Sequence, residues 1–535
     1  MRRLLLGLGF WVALATTMAA GLPRRSVAPA SPAWPLDARG RGPLRIVFVS
    51  RNPAPDAGKG GVPGVGPKHR ALATGGKLMV ADGRGQPSEL SGAGSVRYFD
   101  VSDPAVSPDG RRLAFAATTH PDSGWRIRFY FMDGGASARS LRAIPDAGVS
   151  NRYDELDPCW LDDSTLVFAS TREGQRSQYD RTPVTQIYRF HLRDQSLARL
   201  TAERNGAEEP CVDPRNGRIV YSRWWFNRIR PASAKGDTVN FWQAISIAAD
   251  GSDPRVVATS SDPRHASLYQ PAIADDGSIF GVVGDALGLS PNSGATEITW
   301  RPHPNAPPRH VAGARFDPAD TPRYGSTRGL AAPAALSPAA LADGRVIYSL
   351  DPGGRGNFGI WLANRDGSNA APLVDLPGTL ELDAVPWESR RLGHAMQPAI
   401  ALAPSPRSIE ELERWPARFR FFNRNVFGGG FGTREAKDAR ASGPIRIRFW
   451  ATLPREDAEH GDTLVLVRES EVARNGRVDE RDLPAGVPMF EQLVDAKGAV
   501  LQSAHGPAHV AGHNVGIPGK TASCIGCHRG HSMKR

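Results

Sequence analysis

The feature that most limits how this chain can fold is a phrase it uses five times. "SDPAVSPDGRRLAFAA" (102–117) aligns with "LDPCWLDDSTLVFAST" (156–171), "EEPCVDPRNGRIVYSR" (208–223), "YQPAIADDGSIFGVV" (269–283) and "ALSPAALADGRVIYSL" (335–350). Each copy has a proline, a tight turn containing Asp or Gly, and then a short β-rich run. The phase-marking residues Pro104, Pro158, Pro210, Pro271 and Pro338 stand 54, 52, 61 and 67 residues apart. A period of that size, stretched by loop insertions, belongs to propeller blades. Within four of the units a second pair of alternating strands follows: "RIRFYFMDGGASARSL" (126–141), "QIYRFHLRDQSLARL" (186–200), "QAISIAADGSDPRVV" (243–257) and "GIWLANRDGSNAAPLV" (359–374). Polar or glycine-containing turns join each pair. Four antiparallel strands per unit make one blade.

"RIVFVSRN" (45–52) and "GKLMVADGRGQPSEL" (76–90) read as a first blade without its opening strand, and "MQPAIALAPSPRS" (396–408) is expected to supply it and close the ring. The sequence thus predicts an all-β chain with a six-bladed β-propeller over 44–405, seven blades being the alternative. A β-sandwich or two smaller β domains is the competing architecture. The units resemble the TolB-like, PD40-type propeller repeat, most closely at "PAVSPDGRRLAF". That resemblance implies a fold and little about function, because such propellers carry many activities.

Cys159 and Cys211 each follow a marker proline, in the same phase of consecutive repeats. An oxidising compartment invites a disulfide between them. Equivalent points on neighbouring blades strain the roughly 7 Å Cα limit for such a bond, so two small buried thiols are the expectation. "YDELDP" (153–158) clusters Asp154, Glu155 and Asp157, which are expected to accept hydrogen bonds from backbone amides rather than to hold a metal.

The repeat stops near residue 406. A short helix is expected over Ile409–Arg414, followed by a joint at Gly428, Gly429, Gly430 and Gly432. That joint is not a phosphate-binding loop, because no strand leads into it and no Gly-Lys-Ser or Gly-Lys-Thr follows. "IRIRFWATLP" (445–454), "DTLVLVRESEV" (462–472) and "VPMFEQLVDAKGAVLQ" (487–502) predict a small β domain over 406–502, the last forming a hairpin across Asp495–Gly498.

At the other end, "MRRLLLGLGFWVALATTMAAG" has two arginines, an apolar run and then small residues, the three regions of a secretory signal peptide over 1–20. An uncleaved membrane anchor is the alternative reading. Residues 21–43, rich in Pro, Ala and Arg, form a linker. No second apolar stretch is long enough to span a bilayer, so the exported chain is expected to be periplasmic or secreted. The net charge of +11 is spread along the chain without a Lys/Arg-rich run. With an export signal it does not point to nucleic acid; a redox partner protein is the expected partner.

The chain ends "SCIGCHRGHSMKR". Two thiols at this spacing can each form a thioether to a porphyrin vinyl group, with the adjacent imidazole below the iron. Cys524 and Cys527 are therefore read as covalent attachment points for one c-type haem in a tail over 503–535, and His528 as the proximal axial ligand. For the distal position "AHGPAHVAGHNVGIPG" offers His513 first and His509 second, with His505 also upstream; His531 and Met533 lie close downstream on a short tether. A zinc site made from Cys524, Cys527, His528 and His531 is the rival, but adjacent Cys527 and His528 strain the usual spacing of zinc ligand pairs.

A propeller of this type, a β segment ending "LPAGVPMFEQLVDAKGAVLQ" and then "SCIGCH" together resemble proteins related to the alpha subunit of hydrazine synthase. The resemblance implies two c-type haems, one catalytic and one for electron transfer. This chain has a single Cys-x-x-Cys-His, at the electron-transfer position, and no counterpart of the catalytic haem. No catalytic residue is assigned. The leading expectation is a monohaem c-type cytochrome on a propeller scaffold, passing electrons to or from a partner or within a complex. A haem-dependent oxidoreductase with substrate at the propeller–haem-domain junction is the second, and a secreted binding propeller with an ancillary haem the third.

Overall fold

The computed structural model describes residues 34–53, 75–90, 98–132, 138–144, 153–179, 181–231, 240–257, 267–284, 296–304, 306–315, 331–390, 397–428, 433–455, 461–503 and 506–524. Five four-stranded antiparallel sheets follow one another from residue 100 to 374, each built from one sequence unit. They begin with Asp100–Val106, Glu155–Asp162, Ala207–Val212, Tyr269–Ile273 and Ala334–Ala340 as innermost strands. These are blades two to six, and the remaining sheet, blade one, closes the ring. Its outer strands Ile46–Arg51, Lys77–Ala81 and Ser88–Glu89 come from the N-terminal side, and its innermost strand, Leu380–Pro386, comes from beyond the last complete blade. The propeller therefore has six blades, and pairing between the two ends of its chain holds it shut.

The closing strand lies upstream of the expected segment, and the reason is local. Gln397–Ala401 repeats Gln270–Ala274 letter for letter, so the sequence offers a false copy of an inner strand. The true closing strand reads "LELDAVP" and carries Ala384 where the other blades carry proline. Residues 397–403 instead run along blades three and four, where Ile400 donates to the Asp250 carbonyl (2.8 Å) and Leu402 to the Arg199 carbonyl (2.9 Å).

All six inner strands share one deformation. Asp103, Asp157, Glu209, Gln270, Ser337 and Asp383 have φ of 53°, 52°, 52°, 48°, 50° and 55°. The strand register slips at each of these points, as in a β-bulge. Each such residue costs on the order of 1 kcal/mol or more, and blade-to-blade hydrogen bonds offset this. Asp103 Oδ2 accepts from the Asp157 amide (3.3 Å), Asp157 Oδ2 from the Glu209 amide (3.0 Å), Gln270 Oε1 from the Ser337 amide (2.9 Å) and Asp383 Oδ1 from the Ser337 hydroxyl (2.8 Å). These side chains line a central channel of about 120 Å³. Apolar strand faces fill the space between blades. Between blades four and five Trp224, Trp242 and Tyr269 lie in series, with ring centroids 5.6 and 4.9 Å apart.

Among the described residues the second domain has two larger sheets and a two-stranded ribbon, Gln502–Ser503 with Gly506–Pro507. One larger sheet orders Thr463–Glu471, Arg446–Leu453, Pro488–Val494 and Asn514–Val515; the other orders Val478–Pro484, Arg418–Asn423 and Thr521–Cys524. These two share a core that includes Phe419, Phe421, Ile447, Phe449, Met489 and Leu493. The expected hairpin forms, with Asp495 accepting the Gly498 amide (3.0 Å) and donating to the Ala499 carbonyl (2.9 Å). The short helix spans Ile409–Glu413 and is capped by the Ser408 side chain. A second helix, Thr433–Ala441, and the strand Arg418–Asn423 were not legible in the sequence. The glycine joint at 429–432 lies outside the described residues, while Gly428 is described. Propeller and second domain belong to one compact unit, Pro35–Arg535. Among the described residues no helix is long and apolar enough to cross a membrane.

Candidate functional site

Of the predicted attachment residues, the structure describes Cys524. Cys527, His528, His531, Met533 and His505 lie outside the described residues. Cys524 is the last residue of an edge strand that runs parallel to Arg418–Asn423, with Arg420 opposite Thr521 and Asn423 opposite Cys524. Gly516 brings the chain into this strand. A Cβ there would overlap the Phe419 ring, so only glycine allows the approach. Cys524 is a free thiol, partly exposed and packed against the domain core. Burial, and then the charge of Glu491, push the thiol up to about 12.

Glu491 lies in the fully buried strand Pro488–Val494, opposite Phe449. Its Oε2 accepts from Asn514 Nδ2 at 3.0 Å. Burial raises its carboxyl to about 7 even though the Asn514 bond acts the other way. Nothing in an apolar–polar pattern reading of "PMFEQLV" marked this residue, because its neighbours on both faces are buried too.

The two candidate distal histidines stand at the junction between the second domain and blade four. His509 Nδ1 meets Gln492 Nε2 at 3.0 Å and its Nε2 meets the Ile229 carbonyl at 2.9 Å. His513 is buried, with Nδ1 at 3.3 Å from the Phe226 carbonyl and Nε2 at 3.1 Å from Thr452 Oγ1. Both rings stand edge-on to Phe490, with centroids 5.0 and 5.8 Å away. Burial lowers His509 to about 4 and His513 well below the usual imidazole range; for His513 the nearby guanidinium of Arg204 adds to the effect. Between the histidines, Gly512 lies against Trp225 so closely that a Cβ would overlap the indole, and Arg223 stacks over the same ring at 4.1 Å.

A buried ion pair fastens the same junction. Asp462, in the second domain, accepts from both Arg204 Nε (2.8 Å) and Nη2 and from Gln178 Nε2 (2.7 Å), and both charged side chains are almost fully buried. The sequence reading did not single out Asp462, and a lone carboxylate at the start of a strand carries no signal of a partner 258 residues away.

Elsewhere, Cys159 and Cys211 are free thiols, as expected. Burial pushes Cys159 up to about 12 and raises Cys211 well above the usual thiol range. The carboxylates of "YDELDP" accept backbone amides: Asp154 from Trp125 (3.0 Å), Glu155 from Ile127 (3.0 Å) and Asp157 from Glu209 (3.0 Å). Glu155 also pairs with Arg172 at 2.6 Å. Among the described residues no group of three or more His, Cys, Asp and Glu is placed to hold a metal ion.

Comparison with solved structures places the fold. Hydrazine synthase from Kuenenia stuttgartiensis matches over 92% of this chain and 71% of its own, with a TM-score of 0.65 at 16% sequence identity. The match extends past the propeller into the second domain. TolB from Acinetobacter baumannii matches over 64% of this chain and 66% of its own, with a TM-score of 0.40 at 14% identity. The β-propeller domain of the Trilobed protease from Pyrococcus furiosus covers 56% of this chain and 74% of its own, with a TM-score of 0.31 at 12% identity. No protein-family model and no curated protein matches the sequence.

Proposed function

We propose that this chain is an exported monohaem c-type cytochrome, periplasmic or secreted, that passes electrons to or from a partner protein. Cys524 and Cys527 hold the porphyrin and His528 is the proximal ligand. The observation that carries this reading is the Cys-x-x-Cys-His motif, whose first cysteine is a free, partly exposed thiol at the end of an edge strand. A thiol in a disulfide or a closed core would not fit the attachment; this one does. When bound, the haem supplies a one-electron Fe(III)/Fe(II) couple.

The chain's own residues do the positioning. Pairing of Arg418–Asn423 with Thr521–Cys524 fixes the attachment strand, and the Phe419–Gly516 contact fixes the chain that enters it. Cys524 stands on the outer strand of its sheet, so this reading has the haem held where a partner can approach it.

Absorption spectra of protein matured with a c-haem assembly system test the reading, taken oxidised, reduced, and reduced under carbon monoxide. A six-coordinate low-spin haem indifferent to carbon monoxide is the expected result. A high-spin haem that binds carbon monoxide would favour the oxidoreductase instead. Absence of covalent haem would refute both.

A further inference from the structure

The motif leaves the sixth iron ligand open, and the two residues best placed in sequence to supply it, His509 and His513, have other work. A carbonyl oxygen cannot donate a hydrogen bond, so its partner nitrogen must carry the proton. His509 therefore donates from Nε2 to the Ile229 carbonyl, and its Nδ1 accepts from the Gln492 amide. His513 donates from Nδ1 to the Phe226 carbonyl, and its Nε2 accepts from the Thr452 hydroxyl. Both rings are then neutral, in opposite tautomers, with the one lone pair that could reach a metal already in use on each.

The contacts form a series along one stretch of chain. In order, His509 reaches Ile229, the Val510 carbonyl accepts from Asn227 (3.4 Å), Gly512 lies on Trp225, and His513 reaches Phe226. Four of the five residues 509–513 of the second domain thus engage Trp225–Ile229 at the end of one strand of blade four. Gln492, Thr452 and Phe490 hold the same two rings from the second domain's own sheet.

We infer that His509 and His513 are positioning residues that clip the domain bearing the attachment strand onto blade four, and that neither is an iron ligand. Iron ligation by either would strip a hydrogen bond from a buried partner and pull the 509–513 segment off the propeller. The ligation half of this inference rests on the haem reading; the docking half does not.

The test uses the full chain matured with haem, with His509→Gln, His513→Asn, His513→Leu and Thr452→Val. Gln and Asn keep a side-chain N–H for the backbone carbonyl but do not serve as strong-field haem ligands. Thr452→Val removes the partner of Nε2 without touching either histidine. The haem spectrum and its response to carbon monoxide are expected to match wild type in His509→Gln and His513→Asn. In His513→Leu and Thr452→Val, amide exchange in peptides covering 506–515 and 224–229 is expected to speed up by about tenfold or more, the scale of one lost buried hydrogen bond. Exchange in blade two should not change. Conversion of a low-spin haem to a high-spin, carbon-monoxide-binding one in a folded His509→Gln or His513→Asn variant would overturn the ligation half. Unchanged exchange at the junction in His513→Leu would overturn the docking half. If wild type incorporates no haem, the proposed function fails while the exchange measurement still decides the docking half.

Discussion

Glu491 shows what burial does to a single group. Its carboxyl titrates at about 7 in the fold against 4.5 for an unperturbed glutamate, because the strand around it excludes water. The folded state therefore holds this proton more tightly than the unfolded chain does. Its contribution to stability is complete below about pH 4.5 and is lost as the pH rises through about 7. Glu491→Gln keeps a polar group for Asn514 and removes the ionisation. The variant should be more stable than wild type at pH 8, by up to about 3 kcal/mol, with the gap closing toward pH 4.5 in chemical denaturation. His509 acts in the opposite sense: its folded value of about 4 lies below the ordinary 6.5, so stability falls as the pH drops across that interval. Acid destabilisation should thus be steeper in Glu491→Gln than in wild type. At this scale the sequence was legible where chemistry is local. The turn at Asp495–Gly498 needed only neighbours in sequence. Glu491 takes its burial, and His509 and His513 their hydrogen-bond partners, from strands far away in the chain, which spacing alone does not reveal.

At the scale of elements the repeating proline did most to specify the fold, since the residue before each one takes the left-handed turn that bends an inner strand around the channel. Five blades were legible for that reason. The closing strand was not, because Asp383 makes the same turn without a proline after it, while Gln397–Ala401 mimics a true inner strand. This yields a prediction. Ala384 occupies the place that proline holds in the other five blades, so Ala384→Pro should be accepted by the native backbone. Loss of freedom in the unfolded chain should then leave stability unchanged or raise it by up to about 1 kcal/mol, read as an equal or higher Tm. A fall of several degrees would mean that the sixth inner strand differs from the rest. The helix Thr433–Ala441 was missed for a plain reason: "TREAKDARA" has no apolar residue larger than alanine, so it carries no stripe for a helical period to reveal.

At the largest scale, the unit Pro35–Arg535 is a closed propeller with a second domain fastened to blades three and four, and that docking was the least legible part of the sequence. Its contacts join residues more than 250 apart, such as Arg204 with Asp462 and Phe226 with His513. Asp462→Ala leaves the Arg204 guanidinium buried without its carboxylate. The expected loss is about 3–5 kcal/mol, seen as a lower unfolding midpoint for the second domain. A loss below about 1 kcal/mol, the size of an exposed ion pair, would mean that water reaches the pair. The fold likeness to hydrazine synthase spans both domains of this arrangement. The central claim is that this arrangement presents one covalent haem at its C-terminal strand. The most direct test is the intact mass of the chain beside its Cys524→Ala/Cys527→Ala double variant, both produced with a c-haem assembly system. Wild type should carry the mass of one haem, retained under denaturing conditions, and the double variant none. A wild-type mass equal to that of the bare polypeptide would contradict the account.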